Sequence, residues 1–275
     1  MRAKNIVITG ASDGIGAAAA RQLSRDGHNL FLTGRSPEKT AAVAEEVGAP
    51  YFVADFAHLD QVRSLAEAIL DHFPVIDVLA NNAGLMGPAH RTVTDDGHEL
   101  TNQVNYLSLF LLDHLLFERL RASRATVVAT SSMAHWWGRP NLADPDLTRS
   151  YSAWLAYGTS KLNIILHTRE LQRRGGGDIN AVSFHPGVVV SNFSSESGSL
   201  IGMVYHAPFA KALLTSPDKG ADTLVFAAEG TPGVDFTPGE YLVNRRTAAS
   251  RACGRDIKLA DALWRHTEGW LGLDS

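Results

Sequence analysis

The sequence predicts an α/β fold in which a single doubly wound parallel sheet carries helices on both faces. Two observations lead to this prediction. Short apolar, β-rich runs alternate with longer stretches of helical periodicity along the whole chain, the pattern of parallel strands joined by crossover helices. The 275 residues contain no repeat, low-complexity segment or linker that would divide them, so we expect one domain over residues 1–275.

Each predicted strand is a short apolar run, and each predicted helix is a longer stretch with helical spacing of apolar residues. The strands are expected at 6–9, 30–33, 51–54, 75–80, 126–130, 179–184 and 241–243. The helices are expected near 15–26, 37–47, 59–72, 96–120, 152–174, 218–229 and 256–271. Because ligands of such sheets bind beyond the carboxyl ends of the strands, the residues that follow each strand are the functional candidates.

Composition and charge exclude several classes of function. A net charge of −4 gives no electrostatic reason to expect nucleic acid or an anionic membrane surface as a partner. The single cysteine, Cys253, excludes an internal disulfide and suits a reducing compartment, and the eleven histidines show no metal-binding spacing. No apolar run approaches the roughly 18 residues that span a bilayer, and Lys4 leads directly into a strand rather than a signal peptide. We expect a cytoplasmic protein without a metal or a membrane span.

The stretch at 9–16, TGASDGIG, fits two incompatible motifs. Interpreted as G-x-S-x-G, it exposes Ser12 as a hydrolase nucleophile. Interpreted as a glycine loop on the first strand–helix turn, it presents backbone N–H groups to a pyrophosphate. The hydrolase needs an oxyanion-hole loop from an earlier strand, and only eleven residues precede Ser12, so the spacing G-x-x-x-G-x-G favours a dinucleotide over a hydrolase or a merely structural turn. The cofactor-binding candidates of this loop are Gly10, Ser12, Gly14, Ile15 and Gly16.

A second candidate group lies around AYGTSK, at 156–161. Tyr157 and Lys161 are four residues apart in a predicted helix, so their side chains share one face. A tyrosine with the ordinary pKa of about 10 exchanges protons poorly at neutral pH, and a neighbouring ammonium lowers that pKa by favouring the phenolate. Ser132 follows a predicted strand, where its hydroxyl can meet the same site. The Y-x-x-x-K spacing also occurs by chance in many helices, and a buried serine is often satisfied by backbone, so neither signal is decisive alone.

In combination these motifs resemble those of the short-chain dehydrogenase/reductase family. The segments SSMAH, YSAWLAYGTSKLNIILHTREL and HPGVV are most similar to the branch of retinol dehydrogenases and their bacterial relatives. The resemblance implies a Rossmann-type fold and hydride transfer between a nicotinamide cofactor and an alcohol or carbonyl group. The matching pieces occur in the family's order over nearly the whole chain and are Thr9-Gly10-x-x-x-Gly14-x-Gly16, Asn81-Asn82-Ala83-Gly84, Asn105, Ser132, Tyr157-x-x-x-Lys161 and Pro186-Gly187.

The resemblance also implies a role for each matching residue. Tyr157 would be the general acid/base, and Lys161 would lower its pKa and hold the nicotinamide ribose. Ser132 would bind the substrate oxygen, and Asn105 would maintain a water-linked proton relay to the lysine. Asp55 corresponds to the carboxylate that contacts the adenine amino group. The remaining cofactor-binding candidates are Phe56, Asn82, Ala83, Gly84, Pro186, Gly187, Val189 and Ser191.

Two of these positions carry an alternative or a departure from the family. Asn82 is equally well explained as a structural amide that ties two loops together. Ser191 stands where the family often has a threonine that contacts the nicotinamide carboxamide, and it keeps the hydroxyl. His185, in the same segment, is predicted to be structural rather than catalytic.

The end of the second predicted strand indicates which nicotinamide cofactor is preferred. An NAD-specific site places an acid there to bind the ribose 2′-hydroxyl. This chain has Gly34, Arg35 and Ser36 instead, and no carboxylate before Glu38. Arg35 and Ser36 can bind a 2′-phosphate through charge-assisted hydrogen bonds, so we predict NADP(H). Adding a carboxylate through Gly34→Asp is expected to shift the preference toward NAD(H).

The substrate is predicted to be a bulky lipophilic carbonyl compound or alcohol. The sequence signal is apolar residues around the expected cleft, although each of them is equally well explained by core packing. Those that follow other strands are Met86, Trp136 and Trp137. Those in a candidate substrate loop at 191–217 are Phe193, Leu200, Ile201, Met203, Val204, Tyr205 and Phe209.

Two further alternatives concern assembly and activity. A predicted helix is apolar on nearly all sides, through Leu107, Leu109, Phe110, Leu111, Leu112, Leu115 and Leu116. A homodimer accounts for this pattern, and so does a covering C-terminal segment at 244–275.

A catalytically silent NADP-binding sensor of the same fold is the alternative function. The presence of Asn105, Ser132, Tyr157 and Lys161 together favours the enzyme.

Overall fold

The computed structural model describes residues 2–187 and 215–273. The described residues form one eight-stranded sheet in the order β3-β2-β1-β4-β5-β6-β7-β8. All neighbouring strands are parallel except the antiparallel pair β7 and β8. The strands are β1 (Asn5–Thr9), β2 (Asn29–Gly34), β3 (Tyr51–Val53), β4 (Val78–Asn81), β5 (Thr126–Thr130), β6 (Asn180–His185), β7 (Tyr241–Val243) and β8 (Arg246–Thr247). The predicted doubly wound fold is confirmed.

Helices cover both faces of this sheet. Within β1, Ile6 and Ile8 point into one apolar core, which α1, α2 and α7 complete. Val7, between them, points into the other core, shared with α3, α5, α6 and α8, because side chains alternate along a strand. The helices are α1 (Gly14–Arg25), α2 (Pro37–Val47), α3 (Leu59–His72), α4 (Leu100–Asn102), α5 (Ser108–Ala122), α6 (Ala153–Arg174), α7 (Pro217–Glu229) and α8 (Ile257–Trp270). A π-helical segment (Gln103–Leu107) joins α4 to α5, and 3₁₀ helices occur at Met133–Trp137 and Ala252–Arg255.

Two elements begin three or more residues later than the sequence predicts, and one strand was not predicted. The strand expected at 75–80 begins at Val78, because Ile76 N–H donates to Ser123 Oγ at 3.1 Å in the preceding loop. The helix expected near 96–120 begins only after Glu99, whose carboxylate caps the N–H groups of the residues at 101 and 102 at 3.0 and 2.8 Å. Strand β8 was missed because its two exposed residues carry no hydrophobic pattern.

The all-round apolar helix is buried within one chain. Leu107, Phe110 and Leu116 are fully buried. The α8 residue Trp264 packs on Phe110, with ring centroids 4.7 Å apart, and stacks on His167 at 5.2 Å. The C-terminal segment therefore accounts for the apolar pattern that motivated the homodimer, which stays a prediction.

Two observations on the described residues concern membranes and metals. No helix within 2–187 and 215–273 is both long and apolar enough to cross a membrane. Over the same part of the chain, no three or more His, Cys, Asp or Glu side chains converge as metal ligands.

Candidate active site

The carboxyl ends of the parallel strands open onto a cavity of about 880 Å³. Residues that follow six different strands line it, as the doubly wound topology leads one to expect. The predicted site residues that line it are Gly10, Ser12, Gly14, Ile15, Arg35, Ser36, Asp55, Phe56, Asn82, Ala83, Gly84, Ser132, Tyr157, Lys161, Pro186 and Gly187. Gly16 and Asn105 do not line the cavity themselves. Gly16 lies against Gly10 and Asn82, and Asn105 lies against Gly84, and these three neighbours do line it. Val189, Ser191 and the loop candidates from Phe193 to Phe209 lie outside the described residues.

The glycine loop packs against the loop after β4 with no room for side chains. Gly10 has a φ of +66° and Gly14 a φ of +56°, in the left-handed region that favours glycine. A Cβ on Gly10 would lie 2.8 Å from the Cα of Ala83, and one on Gly16 would lie 2.2 Å from the carbonyl oxygen of Gly10. The glycines therefore let the backbone of this loop approach the cavity closely, as an anion-binding loop requires, while the side chains of Ser12 and Asp13 also line it.

Asn82 ties three strand ends together. Its Nδ2 donates to the carbonyl oxygens of Thr9 and Gly10 at 3.0 and 3.2 Å. Its Oδ1 accepts a hydrogen bond from Thr130 Oγ1 at 3.3 Å. The amide is thus engaged with protein on both sides, which favours the structural interpretation of its side chain.

Tyr157 and Lys161 lie one turn apart on α6, as their spacing predicts. The Lys161 ammonium lies 5.6 Å from the centroid of the Tyr157 ring and donates to the carbonyl oxygen of Thr130 at 2.9 Å. Lys161 is only 2% exposed, and this burial lowers its pKa from the ordinary 10.5 to about 7. Because water does not solvate this ammonium, any hydrogen-bond acceptor or negative charge placed beside it strongly stabilises the charged form.

Asn105 lies in the π-helical segment and couples it to Lys161. Its Oδ1 accepts from Leu85 N–H at 2.7 Å, and its Nδ2 donates to the Leu85 carbonyl at 2.9 Å and to Ser160 Oγ at 3.0 Å. A Cβ on Gly84 would lie 3.1 Å from Asn105 Oδ1 and 3.2 Å from Lys161 Nζ. Gly84 therefore permits the close approach of these two groups.

Ser132 caps the 3₁₀ helix that follows β5, and a buried histidine supports it. Its Oγ accepts from Ala134 N–H at 3.2 Å. The Nδ1 of His135 lies 2.7 Å from the Ser132 carbonyl oxygen, and its Nε2 accepts from Arg251 N–H at 3.2 Å. Burial lowers the pKa of His135, consistent with the neutral imidazole that these bonds require. The C-terminal region thus fixes the loop that presents Ser132.

The loop after β2 carries the residues predicted to select the cofactor. Ser36 Oγ caps α2 by accepting from Lys39 N–H at 3.4 Å. A Cβ on Gly34 would lie 2.6 Å from Thr40 Oγ1 and 2.8 Å from Ser12 Cβ. The effect predicted for Gly34→Asp stays a prediction, and the crowding at this buried position means that the variant would also move the neighbouring side chains of Ser12 and Thr40.

Comparison with known proteins identifies the family. The family model described as short chain dehydrogenase matches residues 4–199. The chain belongs to the short-chain dehydrogenase family. A protein of Streptomyces sp. (strain C5) assigned as daunorubicin C-13 ketoreductase, DnrU, is 42% identical over 98% of this chain and 93% of its own length. Human retinol dehydrogenase 13 is 32% identical over 99% and 86%. The predicted retinol dehydrogenase-like branch is confirmed, and the chain is an oxidoreductase of the alcohol–carbonyl type.

Two solved structures share the fold. An uncharacterised protein from Mycobacterium paratuberculosis superimposes with a TM-score of 0.77 at 32% identity, covering 98% of this chain and 93% of that one. RhlG from Pseudomonas aeruginosa, in its NADP active-site complex, gives a TM-score of 0.68 at 25% identity, covering 87% and 93%.

Several residues of this short-chain dehydrogenase were not found from the sequence. Lys39 and Trp154 line the cavity, and nothing in their local sequence distinguishes them from surface residues. Trp154 lies edge-to-face with Trp137, with centroids 6.2 Å apart, and both indoles are at least half exposed. Trp136, a sequence candidate, packs against His135 instead, with ring centroids 5.1 Å apart and the rings tilted by 36°, and it is not among the lining residues. Met86 and Met133 also line the cavity.

Proposed function

We propose that this short-chain dehydrogenase transfers a hydride between NADP(H) and a bulky lipophilic carbonyl compound or alcohol. The observation that carries the proposal is one continuous cavity shared by Arg35 and the glycine loop with Ser132, Tyr157 and Lys161. The alternative of a silent NADP-binding sensor is disfavoured, because a protein that only binds NADP has no need of Ser132, Tyr157 and Lys161 together. The direct test is NADPH consumption with a series of lipophilic ketones and aldehydes.

The lining residues fit an extended dinucleotide. Strands β2 and β6 are four places apart in the sheet, a span of about 19 Å at the usual strand spacing. The backbone at the α1 N-terminus fits the pyrophosphate, Arg35 and Ser36 the 2′-phosphate, and Lys161 the nicotinamide ribose. The adenine and nicotinamide ends are assigned to Asp55, Phe56, Ala83, Gly84, Pro186 and Gly187, together with Val189 and Ser191.

When bound, the nicotinamide supplies or accepts the hydride. Ser132 Oγ holds the substrate oxygen, and the Tyr157 hydroxyl delivers a proton to that oxygen during reduction or removes it during oxidation. Lys161 favours the phenolate that remains on Tyr157. Asn105 holds the segment beside Lys161 in place through its bonds to Leu85 and Ser160, and we assign it to the proton relay that recharges the site.

Cofactor preference is expected to respond to Ser36→Asp. Aspartate caps a helix as well as serine does, so α2 is kept while a carboxylate is placed beside the 2′-phosphate. NADPH affinity is expected to fall by more than about tenfold through like-charge repulsion, while NADH affinity is maintained. Dissociation constants measured by isothermal titration calorimetry check this, with the uncharged Ser36→Asn as the matched control. Equal affinity of the unaltered protein for NADPH and NADH would refute the assignment of Arg35.

The aromatic end of the cavity is expected to set preference for substrate size. Removing one indole through Trp137→Ala or Trp154→Ala takes away roughly 1.5–3 kcal/mol of apolar contact. We expect KM for a polycyclic ketone to rise about tenfold or more and KM for a small ketone to stay within experimental error. Trp136→Ala is the control, because Trp136 is 47% exposed but does not line the cavity. An equal rise of KM for both substrates would argue against this role.

A further inference from the structure

The peptide group of Ser132 is held twice by one buried histidine. The Ser132 carbonyl oxygen accepts from the backbone N–H of His135 at 3.1 Å and lies 2.7 Å from the Nδ1 of the same residue. Because a carbonyl oxygen can only accept, Nδ1 carries the proton, and Nε2 accepts from the backbone N–H of Arg251 at 3.2 Å. A single tautomer of the neutral imidazole therefore satisfies both contacts, inside a side chain that is fully buried.

The same turn determines what the Ser132 hydroxyl can do. Its Oγ accepts from Ala134 N–H at 3.2 Å, and the residue lines the cavity. A serine hydroxyl that already accepts one hydrogen bond still has its own hydrogen to donate. In the proposed function the recipient is the substrate oxygen, so the position of the Ser132 peptide decides where this donor meets it.

The 3₁₀ helix that Ser132 caps is fitted tightly against α6. A Cβ on Gly138 would lie 2.3 Å from the carbonyl oxygen of Gly158, and one on Gly158 would lie 2.7 Å from the carbonyl oxygen of Ala134. Gly158 directly follows Tyr157 in α6. The backbone contact therefore fixes this 3₁₀ helix relative to the start of α6, and with it the placement of Ser132 relative to Tyr157.

The C-terminal region closes this arrangement from the other side. The Arg251 guanidinium donates to the carbonyl oxygens of Trp136, at 3.1 Å, and of Gly138. The ring of Tyr241, in β7, lies edge-to-face with the imidazole of His135, with centroids 5.0 Å apart. Packed by Tyr241 and bonded at both nitrogens, the imidazole is held in one orientation.

We propose that His135 is a positioning residue for the chemical step. Its Nδ1–H holds the Ser132 peptide so that the Ser132 hydroxyl meets the substrate oxygen beside Tyr157, and its Nε2 ties that position to the segment of Arg251. The inference rests on the role of Ser132 in the proposed function. Because His135 is not among the residues that line the cavity, its loss acts through Ser132 and lowers kcat rather than cofactor affinity.

Three substitutions separate the two bonds of His135. Phenylalanine keeps an aromatic ring and removes both bonds, asparagine can offer an amide N–H in place of Nδ1–H, and glutamine can offer an amide oxygen in place of Nε2. We expect His135→Phe to lower kcat about 10- to 100-fold, the usual result of misplacing a group that contacts the substrate. The dissociation constant of NADPH is expected to change by less than about twofold. His135→Asn should recover most of the lost kcat and His135→Gln little of it.

A double-mutant cycle with Ser132→Ala shows whether the effect passes through the serine. Single-turnover rates are measured for the unaltered chain, the two single variants and the double variant. Once the hydroxyl is gone there is nothing left for His135 to place, so His135→Phe is expected to cost less than about threefold in the Ser132→Ala background. A general disturbance of the site would cost the same factor in both backgrounds.

His28→Phe is the matched control. His28 is also buried, and its Nδ1 accepts from the backbone N–H of Lys4 at 3.1 Å. It directly precedes β2, at the amino ends of the strands and away from the cavity. Its replacement should lower Tm, as that of His135 does, and leave kcat unchanged.

The outcomes distinguish this inference from the proposed function. Equal kcat of His135→Asn and His135→Gln, or an equal loss on removing His135 with and without the Ser132 hydroxyl, overturns the inference. Reduced turnover by Ser132→Ala leaves the proposed function standing in either case. Should His135→Phe fail to fold, the comparison of the asparagine and glutamine variants decides. Parental turnover by Ser132→Ala overturns both the inference and the role proposed for Ser132.

Discussion

Replacing Tyr157 by phenylalanine is expected to reduce turnover by about 10²–10⁴-fold, the usual contribution of a general acid or base. The ring stays, so NADPH affinity should hardly change, and the loss should appear in kcat rather than in the dissociation constant. The structural basis is the position of Tyr157 at the cavity wall, one turn from the buried ammonium of Lys161. Steady-state kinetics with the best substrate, combined with cofactor binding, measures both quantities.

Tyr151→Phe is the matched control for this variant. The hydroxyl of Tyr151 donates to the Pro88 carbonyl at 2.8 Å and does not line the cavity, so its loss should cost about 1 kcal/mol of stability and leave turnover intact. Parental turnover by the Tyr157→Phe protein would rule out the proposed acid/base role.

Lys161→Met is expected to inactivate the enzyme and at the same time to stabilise the free protein. Turnover falls because the phenolate of Tyr157 loses its cation, and NADPH affinity falls because the ribose loses a donor. Stability rises because burial of the ammonium is costly: lowering its pKa from 10.5 to about 7 corresponds to about 4–5 kcal/mol. The lost bond to Thr130 offsets part of this, which leaves a net gain of about 1–3 kcal/mol and a rise in Tm of several degrees.

The gain in stability should depend on pH in a defined direction. Above about pH 10.5 the lysine is neutral in both the folded and the unfolded chain, and its burial costs little. As the pH falls toward 7, the unfolded chain binds the proton more readily than the folded one, so the unaltered protein loses stability relative to Lys161→Met. Below about pH 7 the difference is constant. A Tm difference that is larger at pH 9.5 than at pH 7 would contradict this account of Lys161.

The order of secondary structure was predictable because its cause is local. Both faces of the central strands are covered, so their side chains are apolar in succession, and each strand is separated from the next by a helical stretch with its own spacing. The boundaries were less accurate where a distant partner decides them. Ser123 ends the loop before β4 by binding Ile76, and no pattern within 75–80 encodes that contact.

The sequence by itself determined the glycine loop, the facing pair of Tyr157 and Lys161, and the absence of a carboxylate next to Arg35, because each depends on neighbours within one turn or one loop. Only the tertiary structure decided what lies between these motifs. Gly84 leaves room for both Asn105 Oδ1 and Lys161 Nζ beside it, Arg251 N–H donates to the histidine behind Ser132, and Lys39 faces Asp13 across two strand ends. The physical reason is the strand order: β1 lies between β2 and β4, so residues far apart in the chain meet at one edge of the sheet, with charges and shapes that local spacing does not encode.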